Sequence, residues 1–153
     1  MFKLSTGFKA GLRALTILAQ KGPKTPIPIS ELTRELSLSD KYLEQLLMAL
    51  RRAGLVRSVR GANGGFLLAR EATKITILDI MTALQGPLAF CDCEAKACGE
   101  CVRPEIWDAL ELSMSSSLAM ITLYHLASRD PVHVMAQSVV LPDSPVWQDG
   151  AGI

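Results

Sequence analysis

All four cysteines of this 153-residue chain stand in one short segment, Cys91-Asp92-Cys93-Glu94-Ala95-Lys96-Ala97-Cys98-Gly99-Glu100-Cys101. A disulfide framework scatters its cysteines to staple distant parts of a chain, whereas a tight cluster points to metal or redox chemistry. Thiolates are soft ligands that suit iron–sulfur clusters, zinc and copper(I). Four of them this close can converge on one centre if the segment wraps around it. A lone zinc ion usually takes two cysteine pairs with a longer excursion between them, and only four residues separate Cys93 from Cys98. A cluster presents its irons over a larger body. Spacing alone leaves three readings open: an iron–sulfur cluster, a structural zinc, or a thiol switch closed by Cys98 and Cys101. His125 and His133 lie outside the segment and read as structural or exposed groups rather than as ligands.

The elements on either side must position those thiols. Upstream, Thr76 caps a helix predicted over residues 77–84 and stopped by Gln85-Gly86-Pro87. Downstream, Pro104 suits a first helical turn and opens a helix predicted over 105–118. Trp107, Leu110, Met114, Ser117 and Ile121, with Leu118 beside them, follow a coiled-coil-like spacing that suits pairing with a second copy. Thr122 then caps a short helix to residue 127.

The front of the chain has a different character. Residues 1–90 carry a net charge of +7 and residues 91–153 a net of −6, which the overall +1 conceals. A basic half suggests a polyanionic partner. Apolar residues make up 49% and charged residues 20%, the composition of an ordinary globular protein. No apolar run nears the roughly 18 residues of a membrane span, and Met1-Phe2-Lys3-Leu4-Ser5 does not read as a signal peptide. The expected compartment is the cytoplasm, with no membrane partner.

Thr6 is placed as the cap of a first helix to about residue 20, apolar on several faces. Residues 21–28, with three prolines and a glycine, read as a loop. Ser30 is placed as the cap of a short helix to Leu36. After the turn Ser37-Leu38, Ser39 caps another helix to about residue 53, stopped by Gly54. Two short helices joined by a tight turn make a helix-turn-helix. Leu43, Leu46, Leu47 and Leu50 face inward at helical spacing. Lys41, Glu44, Gln45, Met48 and Arg52 form the opposite stripe, with side chains long enough to reach base edges and phosphates.

Residues 55–59 read as a strand, Arg60-Gly61-Ala62-Asn63-Gly64-Gly65 as a turn, and residues 66–69 as a second strand. A hairpin directly after a helix-turn-helix is a wing. Arg60 at its tip can enter a minor groove, where the potential is most negative. The expected fold class is therefore mainly α with a small β-hairpin wing. Residues 1–88 form the winged helix-turn-helix domain, 89–103 the cysteine segment, 104–128 the dimerisation helix and a short terminal helix, and 129–153 an irregular tail.

No nucleotide-binding glycine motif precedes a helix, and no catalytic triad is visible, so an enzyme is not expected, and an electron carrier using the cysteine segment is the weaker alternative.

Three blocks then resemble the IscR/NsrR-type bacterial transcription regulators: Ser39-Asp40-Lys41-Tyr42-Leu43-Glu44-Gln45-Leu46, Leu50-Arg51-Arg52-Ala53-Gly54-Leu55-Val56, and Arg60-Gly61-Ala62-Asn63-Gly64-Gly65-Phe66-Leu67-Leu68. The likeness covers about residues 1–128. It implies a homodimer that binds a double-stranded DNA operator and senses redox state, iron or nitric oxide through an iron–sulfur cluster. It implies DNA contacts from Ser39, Lys41, Tyr42, Glu44, Gln45 and Arg51 on the recognition helix and from Arg60, Asn63 and Gly64 in the wing. It implies cluster ligands among Cys91, Cys93, Cys98 and Cys101. The chain also departs from the pattern. The family commonly has three cysteines spaced more widely. Pro104 stands where some members place a histidine ligand, and Phe8 where others place an acidic ligand from the partner subunit. The fourth cysteine then supplies the missing ligand, which suits a 2Fe–2S or a 4Fe–4S cluster. Zinc remains the alternative.

Overall fold

The computed structural model describes residues 4–61, 63–90 and 104–128. The four cysteines, Ala62 and the tail from residue 129 lie outside the described residues.

Helix α1 spans Thr6–Lys21, close to the expected bounds. Its cap is Ser5, not Thr6: the Ser5 hydroxyl accepts the Phe8 amide at 3.0 Å. Phe8, Ala14, Leu15 and Leu18 are buried along it, which accords with a helix apolar on several faces.

Helix α2 (Ile29–Leu36) has Pro28 at its N-cap position, and Ser30, already inside the helix, is not its cap. The reason lies in the preceding loop. Ile27 is held in an isolated antiparallel bridge to Phe66, with mutual amide-to-carbonyl bonds of 3.0 and 2.8 Å. The chain leaves that bridge straight into helix, and the fixed φ of Pro28 suits an extended residue just before it. Ser37 turns the chain at φ 55, a left-handed conformation uncommon outside glycine.

Helix α3 (Asp40–Arg52) begins at its expected cap, with the Ser39 hydroxyl accepting the Tyr42 amide at 3.4 Å. Strands β1 (Val56–Val59) and β2 (Gly65–Leu68) pair antiparallel, Val56 opposite Leu68 and Val59 opposite Gly65. Ile27 lies on the free edge of β2, so the wing has a third, one-residue rung that its loop sequence does not announce.

A 3-10 turn (Ala72–Lys74) leads to α4 (Ile77–Gln85). Thr76 and Asp79 cap α4 reciprocally, as a capping box does. Helix α5 (Pro104–Met120) is followed by α6 (Leu123–Ala127). The chain after α5 returns to the winged domain: Ile77 donates to the Ile121 carbonyl and Leu123 to the Ile75 carbonyl, both at 2.8 Å.

One core joins these elements. Leu15, Leu32, Leu43, Leu47, Leu50, Ile75, Ile80 and Leu123 are fully buried in a single cluster. Each such side chain contributes about 1.5–3 kcal/mol relative to exposure. The inner face of α3 is thereby clamped, and its outer face is fixed in direction. The fold is mainly helical with a two-stranded hairpin. No described helix is long and apolar enough to cross a membrane.

Candidate nucleic-acid interface

The periodicity of α3 decides what it offers to solvent. Leu43, Leu47 and Leu50 are buried, so Lys41, Glu44, Gln45, Met48, Arg51 and Arg52 stand exposed. Leu46 and Tyr42 are half-buried. Both approach the start of α1: a Cβ added to Gly7 would lie 3.5 Å from the Tyr42 hydroxyl and 3.5 Å from Leu46 Cδ2. Leu46 therefore faces the flank of the core rather than its centre. Ser39 is exposed at the helix start, where its hydroxyl is engaged by the Tyr42 amide.

The wing stands beside this face. Arg51 Nη1 donates to Ser58 Oγ at 3.4 Å, linking the last turn of α3 to β1. At the root of the hairpin Arg70 Nε donates to the Gly54 carbonyl at 3.2 Å. Arg60 and Asn63 are exposed at the tip. Gly61 turns the chain at φ 117, a conformation closed to most other residues, and its carbonyl accepts the Gly64 amide at 2.9 Å. Gly65 serves a different need. A Cβ there would overlap the backbone of Ile27 and Pro28, so only glycine lets the third rung close.

Electrostatics favour an anionic partner. Among the described residues the ion pairs are Lys21–Glu31 at 2.9 Å and Lys74–Glu71 at 3.2 Å. Both lie off the α3–wing face. A hydrogen bond from Lys21 to Glu31, then the Glu31 charge, holds the Lys21 ammonium above its usual range. Lys41, Arg51, Arg52, Arg57 and Arg60 make no ion pair with the described carboxylates. Arg57 and Ser58 are exposed on β1 beside the α3 face, and the sequence analysis singled out neither. The signal was present: Arg57 and Arg60 bracket two strand residues beside a basic helix end.

The cysteine segment connects α4 to α5. Its upstream root is firm, since Leu88 is buried and Phe90 packs against the core. Cys91, Cys93, Cys98 and Cys101 themselves lie outside the described residues. Among those described, no three His, Cys, Asp or Glu side chains gather as metal ligands. His125 is engaged elsewhere: its Nδ1 accepts the Thr122 amide at 3.1 Å and caps α6. Phe8 is a buried core residue. Four thiols alone are a donor set that fits an iron–sulfur cluster or zinc.

The predicted seam of α5 divides in two. Met114, Leu118 and Ile121 pack against the chain's own core. Ile106, Trp107, Leu110, Leu112 and Met120 are exposed, between 40% and 69%.

The chain is similar to known proteins over most of its length. Residues 4–129 match the Rrf2 family, described as an iron-dependent transcriptional regulator. The HTH-type transcriptional regulator CymR of Bacillus subtilis is 37% identical over 126 residues, covering 82% of this chain and 90% of that protein. The HTH-type transcriptional regulator IscR of Serratia proteamaculans is 31% identical over 138 residues, covering 88% and 84%. The solved structure of B. subtilis CymR, described as the global cysteine regulator, superposes with a TM-score of 0.71 at 37% identity, covering 84% of this chain and 98% of that one. That of T. potens IscR gives a TM-score of 0.66 at 36% identity, covering 89% and 91%. The curated relatives are named as transcriptional regulators, not as enzymes.

Proposed function

The chain belongs to the Rrf2 family of transcriptional regulators, and from that premise we propose that it acts in the cytoplasm as a homodimer on operator DNA, switched by an iron–sulfur cluster on Cys91, Cys93, Cys98 and Cys101. The observation that carries this reading is a composite one. A recognition helix and a wing, tied by Arg51 and Ser58, share one cationic face, and a four-thiol segment separates their buttress, α4, from the exposed apolar helix α5.

On DNA, α3 enters the major groove. Lys41 and Gln45 offer donors to base edges, and Glu44 accepts from a cytosine amino group. Ser39, Tyr42 and Arg51 hold the phosphate backbone, which sets register. Arg60 enters the minor groove, while Asn63 and Gly64 bring the wing tip against the backbone. The apolar half of α5 pairs with its twin and so fixes the separation of the two recognition helices, which must match a half-site spacing of about one DNA turn or a multiple.

When bound, an iron–sulfur cluster supplies a centre sensitive to oxidants, iron supply and nitric oxide. The four cysteines would hold it from one chain, between Phe90 at the edge of the core and Pro104 at the start of α5. Both 2Fe–2S and 4Fe–4S clusters accept four thiolates.

Anaerobic reconstitution with iron and sulfide, followed by metal and sulfide analysis and an operator-binding titration with and without the cluster, tests the proposal. The expected result is about four thiolates engaged per chain and an affinity that changes at least roughly fivefold, the scale of a 1 kcal/mol coupling. Unchanged affinity overturns the switch. Likeness to CymR favours a second reading, in which the thiols act without a cluster or hold zinc in a regulator tied to cysteine supply. Zinc or metal-free protein after the same handling selects it.

A further inference from the structure

We propose that Gln85 is a positioning residue that links the root of the cysteine segment to the first turn of the recognition helix through the N-cap of α1. It goes beyond the proposed function, and its switching arm rests on that reading. Gln85 is the last residue of α4, six positions before Cys91. Its Oε1 accepts both the amide and the hydroxyl of Ser5, each at 3.0 Å. The same hydroxyl accepts the Phe8 amide at 3.0 Å and caps α1. One side-chain oxygen thus orients the group that caps the start of α1.

Next to this clasp the two helices touch closely. A Cβ on Gly11 would overlap Leu84 Cδ1, so the last turn of α4 sits directly on α1. Two residues past the cap, Gly7 lies under Tyr42 and Leu46 of α3. A displacement of the end of α4 is therefore passed to the start of α1, and from there to the part of α3 that meets DNA. Local hydrogen bonding and close packing carry such couplings when the elements between are rigid. Both Ser5 and Gln85 are exposed, so the clasp can open without unfolding the core.

Amide hydrogen exchange on the metal-free protein tests the link without any cluster. Replacing the acceptor in Gln85→Leu is expected to speed exchange at Phe8, and at Leu43 and Leu46, by roughly three- to tenfold, the effect of losing one net hydrogen bond. Gln85→Glu keeps the acceptor and is expected to exchange as the parent does. Phe66, bonded to Ile27 in the wing, should not change. Acceleration at Phe8 without any at Leu43 and Leu46, or none at all, overturns the proposal. If Gln85→Leu loosens Phe66 as well, Gln85→Asn, shorter by one methylene, decides by the same pattern. A second arm compares operator affinity of loaded and cluster-free protein. The ratio should fall toward one in Gln85→Leu and persist in Gln85→Glu, and a parental ratio in Gln85→Leu overturns the switching role. A ratio of one in the parent itself refutes the cluster switch, and the exchange pattern then judges the link alone.

Discussion

Arg51 and Ser58 meet at 3.4 Å, guanidinium to hydroxyl, across the corner where the recognition helix gives way to the wing. Arg51 is exposed and unpaired with any described carboxylate, so it can hold the wing strand with one nitrogen and a phosphate with the others. Arg51→Ala should weaken operator binding by about tenfold and lower the salt slope by about one, as loss of one phosphate contact does. Ser58→Ala should cost less. Because the two side chains touch, their effects should not add, and a double-mutant cycle read by fluorescence anisotropy checks this. Additive losses would mean that the contact does not position the wing.

Arg60 acts at the other end of the hairpin, where it is exposed beside Gly61. Arg60→Ala should weaken binding by roughly tenfold at operators with a narrow A·T-rich minor groove, and less where the groove is wide. Competition between two operators differing only at the wing position measures the difference. Equal affinity of mutant and parent for the narrow-groove operator counts against minor-groove entry.

Gly65 makes a prediction about stability. Its missing side chain is what lets Ile27 pair with Phe66, and the neighbours a Cβ would strike are backbone atoms that cannot swing aside. Gly65→Ala should destabilise the protein by about 1–3 kcal/mol, the range for forced overpacking. Urea denaturation gives the value. The lost rung should also appear as faster exchange of the Phe66 amide, while α5 is unaffected.

Long helices with clear periodicity were legible in the sequence, and so was the wing, because Ser39, Thr76 and Thr122 mark starts and glycines mark turns. Where the reading slipped, a long-range partner had decided. Ser30 is a better intrinsic cap than Pro28, yet the bridge from Ile27 to Phe66 fixes the chain before Ser30 is reached. No local pattern encodes a pairing between residues so far apart in sequence. The spacing on α5 was legible as a seam, but not its division, since the burial of Met114 and Leu118 depends on where the winged domain lies. On α3, leucine spacing gave the outward face directly. Ser58 was not singled out because its contact comes from Arg51, seven positions earlier on another element.

Cys98 is the cysteine that opens the second pair of the segment. Cys98→Ala should abolish the visible chromophore of reconstituted protein, since a cluster held by four thiolates from one chain has no spare protein ligand. The far-UV circular dichroism should be nearly unchanged, because Leu15, Leu43, Leu47, Ile80 and Leu123 already bury one another among the described residues. An unaltered cluster spectrum would remove Cys98 from the ligand set.

Leu110 tests the assembly. It stands 44% exposed on the half of α5 whose apolar side chains do not join the chain's own core. Contiguous exposed apolar surface on a helix is costly unless a partner covers it. A carboxylate in such an interface would lose hydration without gaining a counter-charge, whereas on a solvated helix it would cost little. Leu110→Glu should therefore leave thermal unfolding of the winged domain nearly unaltered and convert a sedimenting dimer to a monomer. It should also reduce affinity for a two-half-site operator far more than for a single half-site, because only the former draws on both recognition helices at once. A Leu110→Glu protein that still sediments as a dimer would place the contact between subunits on another face, and the spacing of the recognition helices would then be set without α5.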